Sequence, residues 1–398
     1  MKKQEFKRFK SFFMGGFECA DHINRSGLRI NLLDETQHEI RAEEDYKLLV
    51  SLGIKVVREG ICWSKVETIP NVFDFSSLRT RIEAAEKLDI QIIWDLCHFG
   101  YPDGLFPTHP QFCNRFKSLC RSFALFYKKK ATQPLIVVPI NEISFLSWHS
   151  GEMRGTVPFA INSGFDMKYH LCKAAIEGIK VLKQCDKHCT ILIVEPLVKV
   201  HPAHDNVAQE KIEELNNYQY QALDIIAGRL CPELDGSPDL FDMVGVNYYF
   251  NNQWDHLDQT LPWPPVDRKL TPLSCLLLKI YYRYNKPLIL SETGHFGDLR
   301  AQWLEEITLE CKRALFFWVL ILGEFVYTLL LTGQTGITSP VIAIAESGIW
   351  IRIKTVLLIN HQLKPFQNAF NLWISKIGRI FYSPNNILMR KPIFKLTI

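Results

Sequence analysis

One pattern recurs seven times along this chain: a short apolar run, then an amphipathic stretch, then the next run. The runs are FFMGGFE (Phe12 to Glu18), IKVVREG (Ile54 to Gly60), IQIIWDLCH (Ile90 to His98), LIVVPINE (Leu135 to Glu142), TILIVEP (Thr190 to Pro196), DMVGVNYY (Asp242 to Tyr249) and PLILSE (Pro287 to Glu292). Continuous runs rich in β-branched residues suit strands buried on both faces, as in a parallel sheet. Helical patterns lie between them. RAEEDYKLLVSLG has apolar residues at helical spacing and stops at Gly53, a C′ glycine. FSSLRTRIEAAEKLD opens on Ser76 and Ser77 as candidate caps, and MKYHLCKAAIEGIKVLKQCD reads as a third helix.

Seven strand–helix units predict an α/β fold, a (β/α)8 TIM barrel with seven recognisable strands and an aberrant eighth. The competing architecture is a doubly wound open sheet. That fold wants a glycine-rich phosphate loop after strand one, and GGFECAD lacks the G-x-G-x-x-G spacing.

Composition narrows the function classes. A hydrophobic content of 47% and a charged content of 22% are those of an ordinary globular protein. The net charge is +4, and no basic patch carries interleaved aromatics, so nucleic acid is not an expected partner. The basic N-terminal stretch has an apolar part too short and too broken by glycine for a signal peptide. Eleven scattered cysteines without a C-x-x-C pair read as reduced thiols, which implies a cytoplasmic location. No His/Asp cluster shows metal spacing, so no metal and no cofactor is expected.

In a barrel of this kind the chemistry stands at the C-terminal ends of the strands. Those ends carry Glu18 with His22, Arg58, Asp95 with His98, Asn141 with Glu142, Glu195 with His201 beyond, Asn247 with Tyr248, and Glu292. Charges at this density on apolar strands are costly unless paired or wet, so they point to a polar pocket. Glu142 and Glu292, on strands four and seven, would face each other across the mouth. Two opposed carboxylates suit glycoside hydrolysis, where one is protonated and the other ionised. Burial raises the pKa of the acid and a neighbouring Arg, here Arg58, lowers that of the nucleophile.

These residues resemble the retaining β-glycosidases of the (β/α)8 clan that contains the β-glucosidases and β-galactosidases. PINEIS resembles the Asn-Glu pair of strand four, which implies Glu142 as general acid/base and Asn141 on the sugar 2-hydroxyl. LSETG resembles the strand-seven motif and implies Glu292 as nucleophile. VVREGICWSKVE and IIWDLCHFGYPDGL resemble the segments bearing the family's Arg and His, here Arg58 and His98. VGVNYYFNNQW resembles the Asn-Tyr segment, with Asn247 in the site, Tyr248 or Tyr249 against the nucleophile and Trp254 stacking on sugar. Glu18 joins the substrate-binding set. Strand one departs from the pattern, reading GGFECADH where relatives have a Gln-bearing motif. The resemblance covers about Phe12 to Leu315 and implies a small-molecule or oligosaccharide β-glycoside as substrate.

The composition changes after Leu315. Residues 316–398 hold two acids, Glu324 and Glu346, against eight Lys and Arg, and no Asp. The run FFWVLILGEFVYTLLL is interrupted by Gly323-Glu324 and is shorter than the ~20 residues of a spanning helix, so no membrane partner is expected. Relatives continue with a Cys-Leu-Tyr-Pro strand eight, then Asp-x-Pro-x-Trp, then His-Cys-Gly-x-Trp; none is visible in frame. Back-translated and read from the third codon base, Phe325 to Thr328 permits Cys-Leu-Tyr. In the same offset Leu331 to Gly336 permits Asp-Arg-Pro-Asp-Trp, and Pro340 to Gly348 permits His-Cys-Gly-x-Trp. The chain therefore divides into a barrel over 1–315 and a tail over 316–398, read as an out-of-frame translation of strand eight and the last helix. That reading expects a barrel with two unpaired edges and impaired activity. Two alternatives stay open: an inactive carbohydrate-binding barrel, and a membrane-associated protein anchored by 316–332.

Overall fold

The computed structural model describes residues 9–266, 270–322 and 329–332. Eight parallel strands close a barrel: β1 (Phe13–Gly16), β2 (Val56–Gly60), β3 (Gln91–Asp95), β4 (Ile136–Val138), β5 (Thr190–Pro196), β6 (Met243–Asn247), β7 (Leu288–Glu292) and β8 (Leu329–Thr332). Each strand pairs with its neighbours in sequence, and β8 lies between β7 and β1. The α/β barrel expected from the seven runs is the fold.

Strand eight corrects the expectation of two open edges. It comes from FVYTLLLTGQTGIT and pairs with β1 over four residues, from Phe13 with Leu329 to Gly16 with Thr332. Its pairing with β7 is a single one, Leu290 with Leu329. Ladder hydrogen bonds join backbone groups, so an extended segment can close a parallel barrel without a family motif. One helix, Arg300–Leu322, runs without a break past Leu315. The motifs permitted by the shifted frame beyond Thr332 lie outside the described residues.

Alternation along the strands separates two apolar clusters. Met14, Val56, Ile93, Ile136, Val138, Leu192, Val194, Met243 and Ile289 form one, with Phe9, and this fills the barrel interior. The alternate positions, such as Val57, Ile92, Trp94, Val137, Ile191, Ile193, Val244, Val246, Leu288 and Leu290, join the outer cluster under the helices. That parity is what directs a polar residue at a strand end either into the mouth or under a helix.

Helix α1 (His38–Ser51) ends as read from the sequence, with Gly53 at φ 76° just beyond it. Helix α2 (Arg79–Lys87) begins differently. Ser76 and Ser77 belong to a preceding 3-10 turn, and no side chain caps the helix; the backbone N–H of Ser76 donates to Asp74 instead. Both helices are tied to the barrel wall by Glu59, which points outward from β2. It accepts from Tyr46 Oη (2.6 Å) and Arg81 Nη1 (2.9 Å), and pairs with His38 Nε2 (2.8 Å), whose Nδ1 meets Asp45 (2.7 Å). All of these side chains are buried. Removing one member of such a network costs about 3–5 kcal/mol because the others stay buried and unpaired.

Candidate active site

Arg58 is the hub of the barrel mouth. It shares the interior face of β2 with Val56, and its guanidinium spreads over three partners. Nε donates to Asp95 Oδ1 (2.9 Å), Nη1 to Glu292 Oε1 (2.6 Å) and Nη2 to Asn141 Oδ1 (2.6 Å). Burial works against its charge, but the carboxylates of Asp95 and Glu292 outweigh it and keep the group cationic. Asp95 also meets His98 Nδ1 at 2.8 Å, and His98 Nε2 lies 3.3 Å from Asn141 Nδ2 and 3.5 Å from Glu18 Oε1. Burial lowers the pKa of His98, but the bond to Asp95 and the charges of Glu18, Asp95 and Glu292 raise it overall.

Glu292 reaches the mouth through an irregularity in its strand. Regular alternation would put it on the outer face with Leu288 and Leu290. The register between β6 and β7 shifts between Leu290 and Glu292, so Glu292 pairs with Asn247 and turns inward. Bulges commonly re-aim a side chain in this way. Ser291 also faces inward, and its hydroxyl donates to Asn247 Oδ1 at 2.7 Å. A Cβ at Gly245 would stand 2.7 Å from Ser291 Oγ and 2.8 Å from Val194 Cγ2, so glycine is needed there. Glu292 thus accepts from Arg58 on one oxygen and from Tyr249 Oη (2.8 Å) on the other.

Glu142 is not a strand residue. Strand β4 ends at Val138, and Glu142 stands just before helix α3 (Ile143–Gly151) in left-handed backbone at φ 45°. Such a conformation at a non-glycine residue costs on the order of 1–3 kcal/mol and persists only where its surroundings hold it. Its backbone N–H donates to the Val194 carbonyl at 3.0 Å. Its carboxyl accepts from Asn247 Nδ2 at 2.9 Å, and the Ser291 bond fixes which end of that amide faces it.

The two carboxyls differ in environment. For Glu142, burial raises the pKa well above the usual range, and the charges of Glu292 and Glu195 add to it. For Glu292, burial also raises the pKa, while Arg58, His98 and the Tyr249 bond pull it down. The expectation that Arg58 would leave Glu292 below the ordinary value is corrected: burial outweighs the arginine. The ordering survives, because Glu292 holds two strong donors, one of them cationic, and Glu142 holds one neutral amide.

The structure thus brings together Arg58, His98, Asn141, Glu142, Asn247, Glu292 and, through His98, Glu18. Tyr248 is directed elsewhere. It is buried, its hydroxyl accepts from Gln253 Nε2 (2.7 Å), and its ring stacks on Trp303. Of the two adjacent tyrosines, Tyr249 is the one that contacts Glu292. Trp254 lies in a separate parallel ribbon of Gln253–Asp255 with Lys199–His201, outside the barrel sheet. The fold also assembles a group that linear spacing could not show: Cys19, Asp95 and His98 offer ligand atoms within 4.8 Å of one another. Arg58 already bonds both oxygens of Asp95, at 2.9 and 2.8 Å, so a guanidinium stands where a cation would need to approach. Burial raises the Cys19 thiol well above its usual range, so it is poorly set up as a thiolate ligand. All eleven cysteines are free, and among the described residues no helix is long and apolar enough to cross a membrane.

Comparisons with known proteins bear on the fold and the kind of enzyme. A family model for glycoside hydrolase 42, described as beta-galactosidase, matches residues 33–118. Over 80 residues the chain is 32% identical to the 6-phospho-beta-glucosidase AscB of Escherichia coli (strain K12), a match spanning 19% of this chain and 17% of that protein. A family 1 β-glucosidase from Thermotoga maritima superposes with a TM-score of 0.60 at 15% identity, covering 75% of this chain and 78% of the other. The AHE enzyme from Alicyclobacillus herbarius superposes with a TM-score of 0.63 at 18% identity and the same coverage. The structural matches establish the barrel fold. The chain is similar to retaining β-glycosidases of the (β/α)8 clan.

Proposed function

We propose that this chain is a β-glucosidase-like glycoside hydrolase that cleaves β-glycosides by retaining double displacement. The observation that carries the reading is the unequal setting of two buried carboxyls at one barrel mouth. Glu292, whose ionised form Arg58 and Tyr249 favour against burial, attacks the anomeric carbon as the glycosidic C–O bond breaks. Glu142, protonated because burial and two neighbouring carboxylates favour its neutral form, gives its proton to the departing oxygen. The sugar is then esterified to Glu292 and Glu142 is ionised. Water enters, Glu142 takes its proton, and the oxygen attacks the anomeric carbon to release Glu292. Asn141 is fixed by Arg58 through its Oδ1, which leaves its amide N–H2, 3.3 Å from His98 Nε2, as the donor for a sugar hydroxyl. Free cysteines favour a reducing, cytoplasmic setting.

A panel of aryl β-glycosides tests the activity, and NMR of the first-formed anomer tests the mechanism. Retention of the β configuration is expected; inversion would overturn the double displacement. Glu292→Gln should abolish nearly all turnover, and an active variant would show that the nucleophile is another group. A crystal structure should place the two carboxyls about 5–5.5 Å apart, as retaining enzymes do.

We also propose that 316–398 is an out-of-frame tail. The support is the order and common offset of the three permitted motifs, together with the tail's basic, Asp-free composition. Since Leu329–Thr332 closes the barrel in frame, the expected damage lies in side-chain packing and in the loop chemistry after β8.

A further inference from the structure

Glu195 is a buried carboxylate that takes no part in the bond-making or proton-transfer steps above. It is the penultimate residue of β5, where Leu192 and Val194 face the barrel interior while Ile191 and Ile193 face the helices. Parity therefore sends Glu195 outward, behind the wall and away from any sugar in the mouth. There it meets the first turn of α3. The backbone N–H of Ser144 donates to its Oε2 at 3.1 Å. The preceding β5 residue, Val194, accepts the backbone N–H of Glu142 at 3.0 Å. Two consecutive residues of β5 thus grip the chain on both sides of the strained φ at Glu142. A carboxylate at a helix N-terminus is well placed to satisfy N–H groups that have no intrahelical partner.

We propose that Glu195 is a positioning residue for Glu142: from outside the barrel wall its carboxylate clamps the left-handed turn that presents the acid, and it sets a second negative charge beside it. This rests on Glu142 being the general acid. The groups facing Glu142 are Glu292 on β7, Asn247 on β6, His98 beyond β3 and Glu195 on β5. The groups facing Glu195 are the N–H groups of Ile143 and Ser144, Lys168, and Cys172, the last two on helix Gly164–Cys185. Burial pushes the Glu195 carboxyl up to about 7, with Ser144 and Lys168 pulling the other way. Its charge is therefore present above neutrality and fades below it. Above neutrality a like charge makes Glu142 harder to ionise, so the acid keeps its proton into the alkaline range.

The test is Glu195→Gln, which keeps the shape and one acceptor but removes the charge. Two readouts are needed. The first is the pH dependence of kcat on an aryl β-glucoside. The second is a pH titration of the Glu142 carboxyl C=O band by infrared difference spectroscopy, protein against E142Q, which requires no turnover. In Glu195→Gln both the alkaline limb of kcat and the Glu142 titration should move to lower pH, while KM stays within about twofold because ground-state binding is untouched. Below about pH 7 the variant and the parent should converge. Lys168→Gln serves as a second, gentler variant: with less support for its charge, Glu195 stays neutral to higher pH, and the shift should have the same sign and smaller size. A uniform fall of kcat with no movement of either limb or band would reduce Glu195 to a structural cap and overturn the proposal. If neither the parent nor any variant hydrolyses β-glycosides, the functional reading fails, and the infrared titration still decides the coupling.

Discussion

Tyr249→Phe against Tyr248→Phe separates two adjacent tyrosines by chemistry. The Tyr249 hydroxyl donates to Glu292 Oε2 at 2.8 Å, while Arg58 holds the other oxygen at 2.6 Å. A hydrogen bond to a charged group contributes about 1.5–3 kcal/mol, and it acts on the ionised carboxylate. Its loss should therefore raise the Glu292 pKa further, beyond the rise that burial already imposes. The sign follows directly. The bond lowers the pKa, its removal raises it, and the acid limb of kcat/KM, which reports loss of the ionised nucleophile, moves to higher pH. The plateau should also fall, by about tenfold or more, because the carboxylate loses one of the two donors that orient it. In Tyr248→Phe the lost bond is to Gln253, whose Nε2 still donates to Thr271 O at 2.8 Å. That variant should cost about 1 kcal/mol of stability and leave the acid limb in place. Initial rates on an aryl β-glucoside across the acid range provide the assay. An unmoved limb in Tyr249→Phe, or an equal shift in Tyr248→Phe, would refute the assignment of Tyr249 to the nucleophile.

Three further outcomes are expected. Burial raises the Glu59 pKa, yet His38, Arg81 and Tyr46 lower it overall, to about 2. A depressed carboxylate stabilises the fold above its unfolded pKa and loses that contribution as pH falls through about 2. Glu59→Gln should therefore cost roughly 3 kcal/mol in urea melts at pH 7, with the deficit shrinking toward pH 2.5; an equal deficit at both would show that charge is not the cause. Gly245→Ala should lower kcat through Ser291 and Asn247, since the new methyl meets Ser291 Oγ at 2.7 Å; unchanged kinetics would mean that this contact does not hold Asn247 in place. The nucleotides across codons 310–350 should spell Cys-Leu-Tyr, Asp-Arg-Pro-Asp-Trp and His-Cys-Gly-x-Trp one frame away; codons that do not would end the out-of-frame reading.

What could be read in advance, and what could not, follows from the range of the forces involved. Seven strands were legible because a strand buried on both faces needs a continuous apolar run, which is a local property. Arg58 was legible as a mouth residue because it keeps the parity of Val56. Glu292 was found by its place at a strand end, but its direction was not legible: alternation with Leu288 and Leu290 points it under the helices, and only the register shift against β6 turns it inward. The choice between Tyr248 and Tyr249 stayed open in the sequence for a related reason. Strand β6 stops at Asn247, and beyond it period-two alternation has no authority over where a ring points. Strand eight shows the opposite limit. Its apolar run carries no motif, yet backbone pairing needs none, and Leu329–Thr332 takes the gap between β7 and β1. The same division governs Glu142, Glu195 and Glu292. Residue type and strand order make all three candidates, but a bulge, a left-handed turn and the parity of β5 decide their roles. In the proposed mechanism Glu292 attacks and Glu142 carries the proton, and in the proposal made for β5 Glu195 stands behind the wall and holds Glu142 in place.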